Sequence, residues 1–133
     1  MKYLCLAYQD EQRLDALSRE EMDALIEETL AYNEELRRSG HLIAAEALQG
    51  VRTAVILRVR DGRLSVTDGP FVETKEQLGG FFLINARDLN EAILVASRMV
   101  PARVGCLEVR PIRELTGAGR QDPGREAEQN QDV

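Results

Sequence analysis

The sequence predicts an α+β fold, an antiparallel sheet with two helices on one face and an inserted β-hairpin. Three observations lead there. Along the chain the patterns run strand, helix, strand, hairpin, strand, helix, strand. Two of them open on helix-start signals, Ser18-Arg19-Glu20-Glu21 and Asp88-Leu89-Asn90-Glu91, each with a capping side chain three residues before a glutamate. Between two short extended segments stands Asp61-Gly62, the strongest hairpin-turn signal in the chain.

At 133 residues the chain is long enough for one real core and too short for two. The 44% hydrophobic and 30% charged residues are those of an ordinary soluble globule. A net charge of −6 argues against nucleic acid or an anionic membrane as the main partner. No apolar run approaches the ~18 residues of a membrane span. Met1-Lys2 leads straight into a strand, so a cytoplasmic location is expected.

Taken in order, Lys2 to Tyr8 is apolar or aromatic at both parities, the mark of a central strand covered on both faces. A polar connection follows. The first helix starts near Arg19; Met22, Leu25, Ile26, Leu30 and Leu36 form its buried stripe, and Gly40 stops it. Thr29 and Asn33 interrupt that stripe. Either Thr29 bonds a carbonyl one turn back with Asn33 at the stripe's edge, or both look into a cavity.

His41 to Leu48 reads as a second strand, broken by Gln49-Gly50. Thr53 to Arg60 and Leu64 to Thr67 form the hairpin, a stalk that delivers the chain to Asp68. Phe81 to Ala86 is again apolar at both parities and reads as another central strand. In the second helix Leu89, Ala92, Ile93, Ala96 and Met99 mark the buried side, and Pro101 ends it. Val104 to Pro111 is the last strand, Leu107 and Val109 facing one way and Cys106, Glu108 and Arg110 the other, and it is expected to be a central strand whose charged face the dimer partner covers. Residues 1–115 therefore form the domain, and residues 116–133 are too polar to bury anything and are expected to be a disordered tail.

With both helices on one sheet face, Tyr3 to Tyr8 and Phe81 to Ala86 leave an apolar patch of several hundred Å² on the other, more than a monomer tolerates. A homodimer packed sheet face to sheet face resolves this. Cys5 and Cys106 lie in apolar strand patterns and read as buried, reduced thiols. With His41 they are too few and wrongly spaced for a metal site, and no glycine-rich phosphate loop is present, so neither metal nor cofactor is expected.

Between Thr67 and Gly80 the chain reads T-D-G-P-F-V-E-T-K-E-Q-L-G-G. Gly69 and Pro70 make a sharp corner that presents Glu73, Thr74, Lys75 and Glu76. Asp68-Gly69-Pro70-Phe71 with Glu73 to Gly80, supported by Glu108-Val109-Arg110-Pro111, resembles the signature of the DGPF subgroup of YCII-related proteins. The resemblance covers residues 1–113. It implies a ferredoxin-like fold of the dimeric α/β-barrel type, a homodimer, and first and last strands as neighbours, which would bring the two cysteines near each other. It also implies a cleft in which the family as a whole carries a His–Asp pair, the His from the middle of the first helix. That position falls at Thr29 here, and a threonine is no general base near neutral pH.

The candidate acids are Asp68, Glu73, Glu76, Glu46 and Glu108. Asp68 and Glu76 are the candidates for any catalysis; Asp68, Lys75, Glu76, Arg110 and Thr29 are those for binding a small molecule. Each also has a structural reading: Asp68 as a turn residue, Lys75 and Glu76 as a solvated turn, Glu108 and Arg110 as interface charges, His41 as a favourable charge at a helix C-terminus. Three functions stay open: a small dimeric binding or regulatory module, a lyase or isomerase using a carboxylate base, and a purely structural dimerisation domain.

Overall fold

The computed structural model describes residues 1–116, so the predicted tail lies outside the described residues except for Thr116. The elements are β1 (Lys2–Gln9), α1 (Glu11–Asp15), α2 (Arg19–Arg38), β2 (Leu42–Ala47), β3 (Val55–Arg60), β4 (Arg63–Asp68), β5 (Gln77–Asn85), α3 (Leu89–Ser97), α4 (Pro101–Val104) and β6 (Cys106–Pro111). Four strands form one antiparallel sheet in the order β2-β5-β1-β6, and β3 and β4 form a two-stranded sheet of their own. Each helical crossover, β1–α2–β2 and β5–α3–β6, skips over one strand. This is the ferredoxin-like α+β fold with a hairpin inserted between its second and third sheet strands.

Local chemistry sets the helix ends. Ser18 Oγ accepts from the Glu21 N–H at 3.0 Å while the Glu21 carboxylate accepts from the Ser18 N–H at 2.9 Å, a reciprocal capping box. Gly40 ends α2 at φ +83°, and the His41 N–H bonds the Leu36 carbonyl at 2.8 Å. At the hairpin tip Asp61 (φ 52°) and Gly62 (φ 75°) both take the left-handed conformation that a two-residue turn of this kind requires.

The core lies between the helices and one sheet face. Tyr3, Cys5, Ala7, Phe82 and Ile84 point into it, against Tyr32 and Leu36 of α2 and Ala92, Val95 and Ala96 of α3. Tyr32 closes its own polar end by donating to the Val95 carbonyl at 2.7 Å, with the Arg98 guanidinium 4.6 Å over its ring. On the opposite face Leu4, Leu6, Phe81 and Leu83 are only half-buried.

Several expectations change. The polar connection after β1 holds α1, capped by the nearly buried Asp10, whose carboxylate accepts from the Gln12 and Arg13 N–H groups. Pro101 opens α4 instead of ending the second helix, because its missing N–H costs nothing at a first helical position. Tyr32 joins Leu36 inside, whereas Ile26 and Leu30 are 48% and 61% exposed. In α3 Val95 is buried, while Leu89 and Ile93 are half-exposed. β6 is an edge strand of the main sheet, not a central one. Cys106 is exposed, and its register partner Tyr8 puts it on the face opposite buried Cys5, so adjacent strands do not bring the sulfurs together. The hairpin projects with Val55, Leu57, Val59, Leu64 and Val66 all exposed on one of its faces. No helix among the described residues is long and apolar enough to cross a membrane.

His41 ties two helix ends together. Its Nδ1 lies 2.8 Å from Ser39 Oγ and its Nε2 lies 3.5 Å from Glu91 Oε2. The Arg87 N–H donates to Glu91 at 2.6 Å, and that bond, more than the neighbouring His41 and Arg87 charges, holds the Glu91 carboxyl below its ordinary range. A depressed carboxyl contributes stability that is complete above the unfolded value near 4.5 and disappears as the pH falls through the folded one. Glu91→Gln is therefore expected to flatten the loss of stability on acidification below that pH, measured by urea unfolding. An unchanged acid slope would remove Glu91 from the account.

Candidate functional site

Two concavities flank the main sheet. One is an apolar cavity of about 480 Å³ between α2 and the helix-covered sheet face. Met22, Leu25 and Ile26 of α2 line one wall, Phe82 and Ala45 the floor, and Pro101 of α4 one end. Helical spacing brings Thr29 and Asn33 to this wall, one turn apart. Neither side chain makes a hydrogen bond with the described residues, so the carbonyl bond considered for Thr29 is not formed. Gln9, at the end of β1, adds a third neutral polar group.

The signature stretch enters this cavity through its last two residues. Gly79 and Gly80 belong to β5 and line the floor. A Cβ on Gly80 would stand 2.7 Å from the Glu46 carbonyl oxygen, so the close approach of β2 and β5 requires glycine there.

The other concavity, about 580 Å³, is a more open cleft at the end of β1 and β6. It is lined by Tyr8, Asp10, Arg13, Thr74, Lys75, Glu76 and Cys106. Tyr8 donates to Glu108 Oε1 at 3.1 Å, and Cys106 Sγ lies 3.8 Å from Glu76 Oε1. Partial loss of hydration, then the Glu108 bond and charge, raises the Tyr8 phenol; partial loss of hydration, then the Glu76 charge, raises the Cys106 thiol. Both stay protonated near neutral pH, the opposite of what a nucleophile requires. Cys5 is pushed up to about 11 by burial alone.

The predicted site residues fall into three places. Thr29 lines the apolar cavity; Lys75 and Glu76 line the open cleft. Arg110 shares the sheet face of Glu108 and Tyr8 and acts on the Tyr8 phenol through its charge. Asp68 ends β4 opposite Val55, exposed, lining neither concavity and making no side-chain hydrogen bond with the described residues. Glu73 is likewise exposed in the loop. Glu46 borders the apolar cavity, but it pairs with Phe81 and alternates with Ala45 and Ala47, which turns its side chain to the other face.

Sequence reasoning misses what holds the signature loop. The Gln77 side-chain amide donates to the Val72 and Thr74 carbonyls at 3.2 and 2.8 Å, and the Gly69 N–H (φ +105°) bonds the Ala54 carbonyl at 2.8 Å. A strand-opening glutamine carries no pattern that reveals this. Among the described residues no group of three or more His, Cys, Asp or Glu side chains is placed to hold a metal ion.

A protein of Rhizobium meliloti (strain 1021), itself described as uncharacterised, is 38% identical over 114 residues, which are 84% of this chain and 92% of that protein. The YCII-related domain model matches residues 1–116, the span of the fold and of both concavities. The chain belongs to the YCII-related domain family.

Proposed function

We propose that this protein is a small homodimeric module of the DGPF subgroup that binds a small molecule in the cavity between α2 and the sheet. The observation that carries this is an apolar cavity of about 480 Å³, within the range of small-molecule sites, whose polar groups Thr29 and Asn33 are not used by the fold. A helix facing a packed core would place leucine or alanine at both positions. Binding is favoured over a lyase or isomerase function because the helix position that faces the cavity is a threonine, and Asp68 and Glu76 do not line it. Lys75, Glu76 and Arg110 then flank the dimer contact instead of the ligand. The half-buried Leu4, Leu6, Phe81 and Leu83 supply that contact, sheet face to sheet face.

The test is an NMR titration of the full chain with indole as probe. Resonances of Leu25, Thr29, Asn33 and Ala45 are expected to move, and Thr29→Trp, which fills the cavity, is expected to abolish the shifts while the fold persists. Shifts unchanged in the filled variant, or confined to Leu6 and Leu83, would refute the cavity as the site. Light scattering on the same sample is expected to give twice the 14.9 kDa of one chain, and a monomer would refute the dimer.

A further inference from the structure

We infer that the cavity selects an uncharged ligand, a small ring compound with a carboxamide- or lactam-like head that both donates and accepts, and rejects the corresponding carboxylates and ammonium ions. This rests on the ligand-binding reading above and gives it a chemical class. The polar groups available to a ligand are all neutral. Asn33 offers an amide donor and a carbonyl acceptor, Thr29 one turn away offers a hydroxyl that does either, and Gln9 offers a second amide. None of the three is engaged with the described residues, so each can turn both functions toward a guest. At an i, i+4 separation their Cβ atoms stand about 5–6 Å apart, a span that one amide-like head bridges.

Charge has no counterpart there. Among the described residues Glu46 is the one ionisable residue that borders the cavity, and its strand register turns it to the opposite sheet face. On the α4 side the guanidinium of Arg103 is committed to Glu28, with Nη1 2.8 Å from Oε2, across the gap between α4 and α2. That pair keeps the Arg103 charge neutralised beside Val104 at the rim. An ion entering the cavity would give up its hydration without meeting an opposite charge, which costs far more than a neutral amide loses when its hydrogen bonds are replaced. The apolar walls of Met22, Leu25, Ile26 and Phe82 suit a ring, and the volume has room for one or two.

The experiment compares three probes that share a ring and differ in charge: benzamide, benzoate and benzylammonium, titrated into the full chain at neutral pH by calorimetry. Benzamide is expected to bind at least about tenfold more tightly than either ion, the equivalent of one well-placed hydrogen bond gained and none of the ionic desolvation suffered. In Asn33→Leu that preference is expected to shrink about tenfold while toluene, which asks for no hydrogen bond, binds as well as before. Thr29→Val, close to isosteric, serves as the second variant and is expected to act in the same direction. Benzoate or benzylammonium binding as tightly as benzamide would overturn this inference and leave the ligand-binding reading standing. Binding of none of the four probes to a protein that remains folded would overturn both.

Discussion

Replacing Ile84 by alanine is expected to destabilise the protein by about 2–5 kcal/mol, the cost of an emptied aliphatic site in a closed core. Ile84 is fully buried on central strand β5, between its register partners Tyr3 on β1 and Leu42 on β2. Both neighbours are held by the sheet ladder, and α2 and α3 close the space above. The hole cannot collapse cheaply, which places the cost above that of the lost transfer free energy alone. For a domain of this size the melting temperature should fall by roughly 10–20 °C. Leu94→Ala on α3 is the matched control: Leu94 is 67% exposed, and its truncation is expected to stay within about 0.5 kcal/mol. A loss under about 1 kcal/mol for Ile84, or similar losses for the two, would mean that β5 does not carry the centre of the core.

Gly105→Ala is expected to cost about 3 kcal/mol, at the top of the usual range for overpacking. Gly105 joins α4 to β6, and a Cβ there would collide with the carbonyl oxygen of Tyr8 and stand 3.1 Å from the Gln9 Cα. Both are backbone atoms of a central strand and have no rotamer to change. The collision can be relieved only by moving β6 away from β1, which opens the Tyr8–Cys106 end of their pairing. Gly79→Ala separates this effect from the generic consequence of removing a glycine. Its Cβ would meet the Gln9 side chain, with Nε2 at 2.7 Å, and a flexible amide can swing aside. Its cost is expected to stay below about 1 kcal/mol, since loss of glycine freedom in the unfolded chain offsets part of it. Chemical unfolding of both variants decides the matter. Equal effects would remove the strand collision as the cause.

How far the sequence reveals this molecule depends on whether the deciding chemistry is local. The ends of α2 are readable because Ser18, Glu21 and Gly40 act within a few residues of where they stand. The hairpin tip is readable for the same reason. Which side of a helix is covered is a different matter. Ile26 and Leu30 have the spacing of buried residues, yet they border an opening, because periodicity tells what a helix can bury and not what is built above it. The edge position of β6 does leave a trace: Cys106, Glu108 and Arg110 alternate with Leu107 and Val109, a one-sided pattern unlike the two-sided apolar runs of β1 and β5. At five residues, α1 is too short for any period to show, and only Asp10 signals it. Pro101 reads equally well as a stop or a start until the preceding turn is seen.

In the site, Thr29 and Asn33 are legible as breaks in an apolar stripe, which is why both readings of them can be set out from the residues alone. Gln9 is not, since one polar residue at the end of a strand is ordinary. Lys75 and Glu76 stand out in the sequence because they follow a rigid corner, but charge density in a turn does not distinguish a ligand site from a solvated loop.

The position of β1 has a consequence for how the chain acquires its fold. Within the domain, β1 is held between β5 and β6, elements that follow it by most of the domain's length, paired to β5 on one edge and β6 on the other. Neither edge finds its partner until most of the chain has been synthesised, and the final ladder joins residues about as far apart as the domain allows. The sheet therefore cannot be built outward from a local nucleus. Closure of the longest loops precedes the contacts that reward it, which places the domain among the slower folders of its size. Until then β1 presents an apolar strand with two open edges, the form most ready to pair with another nascent copy.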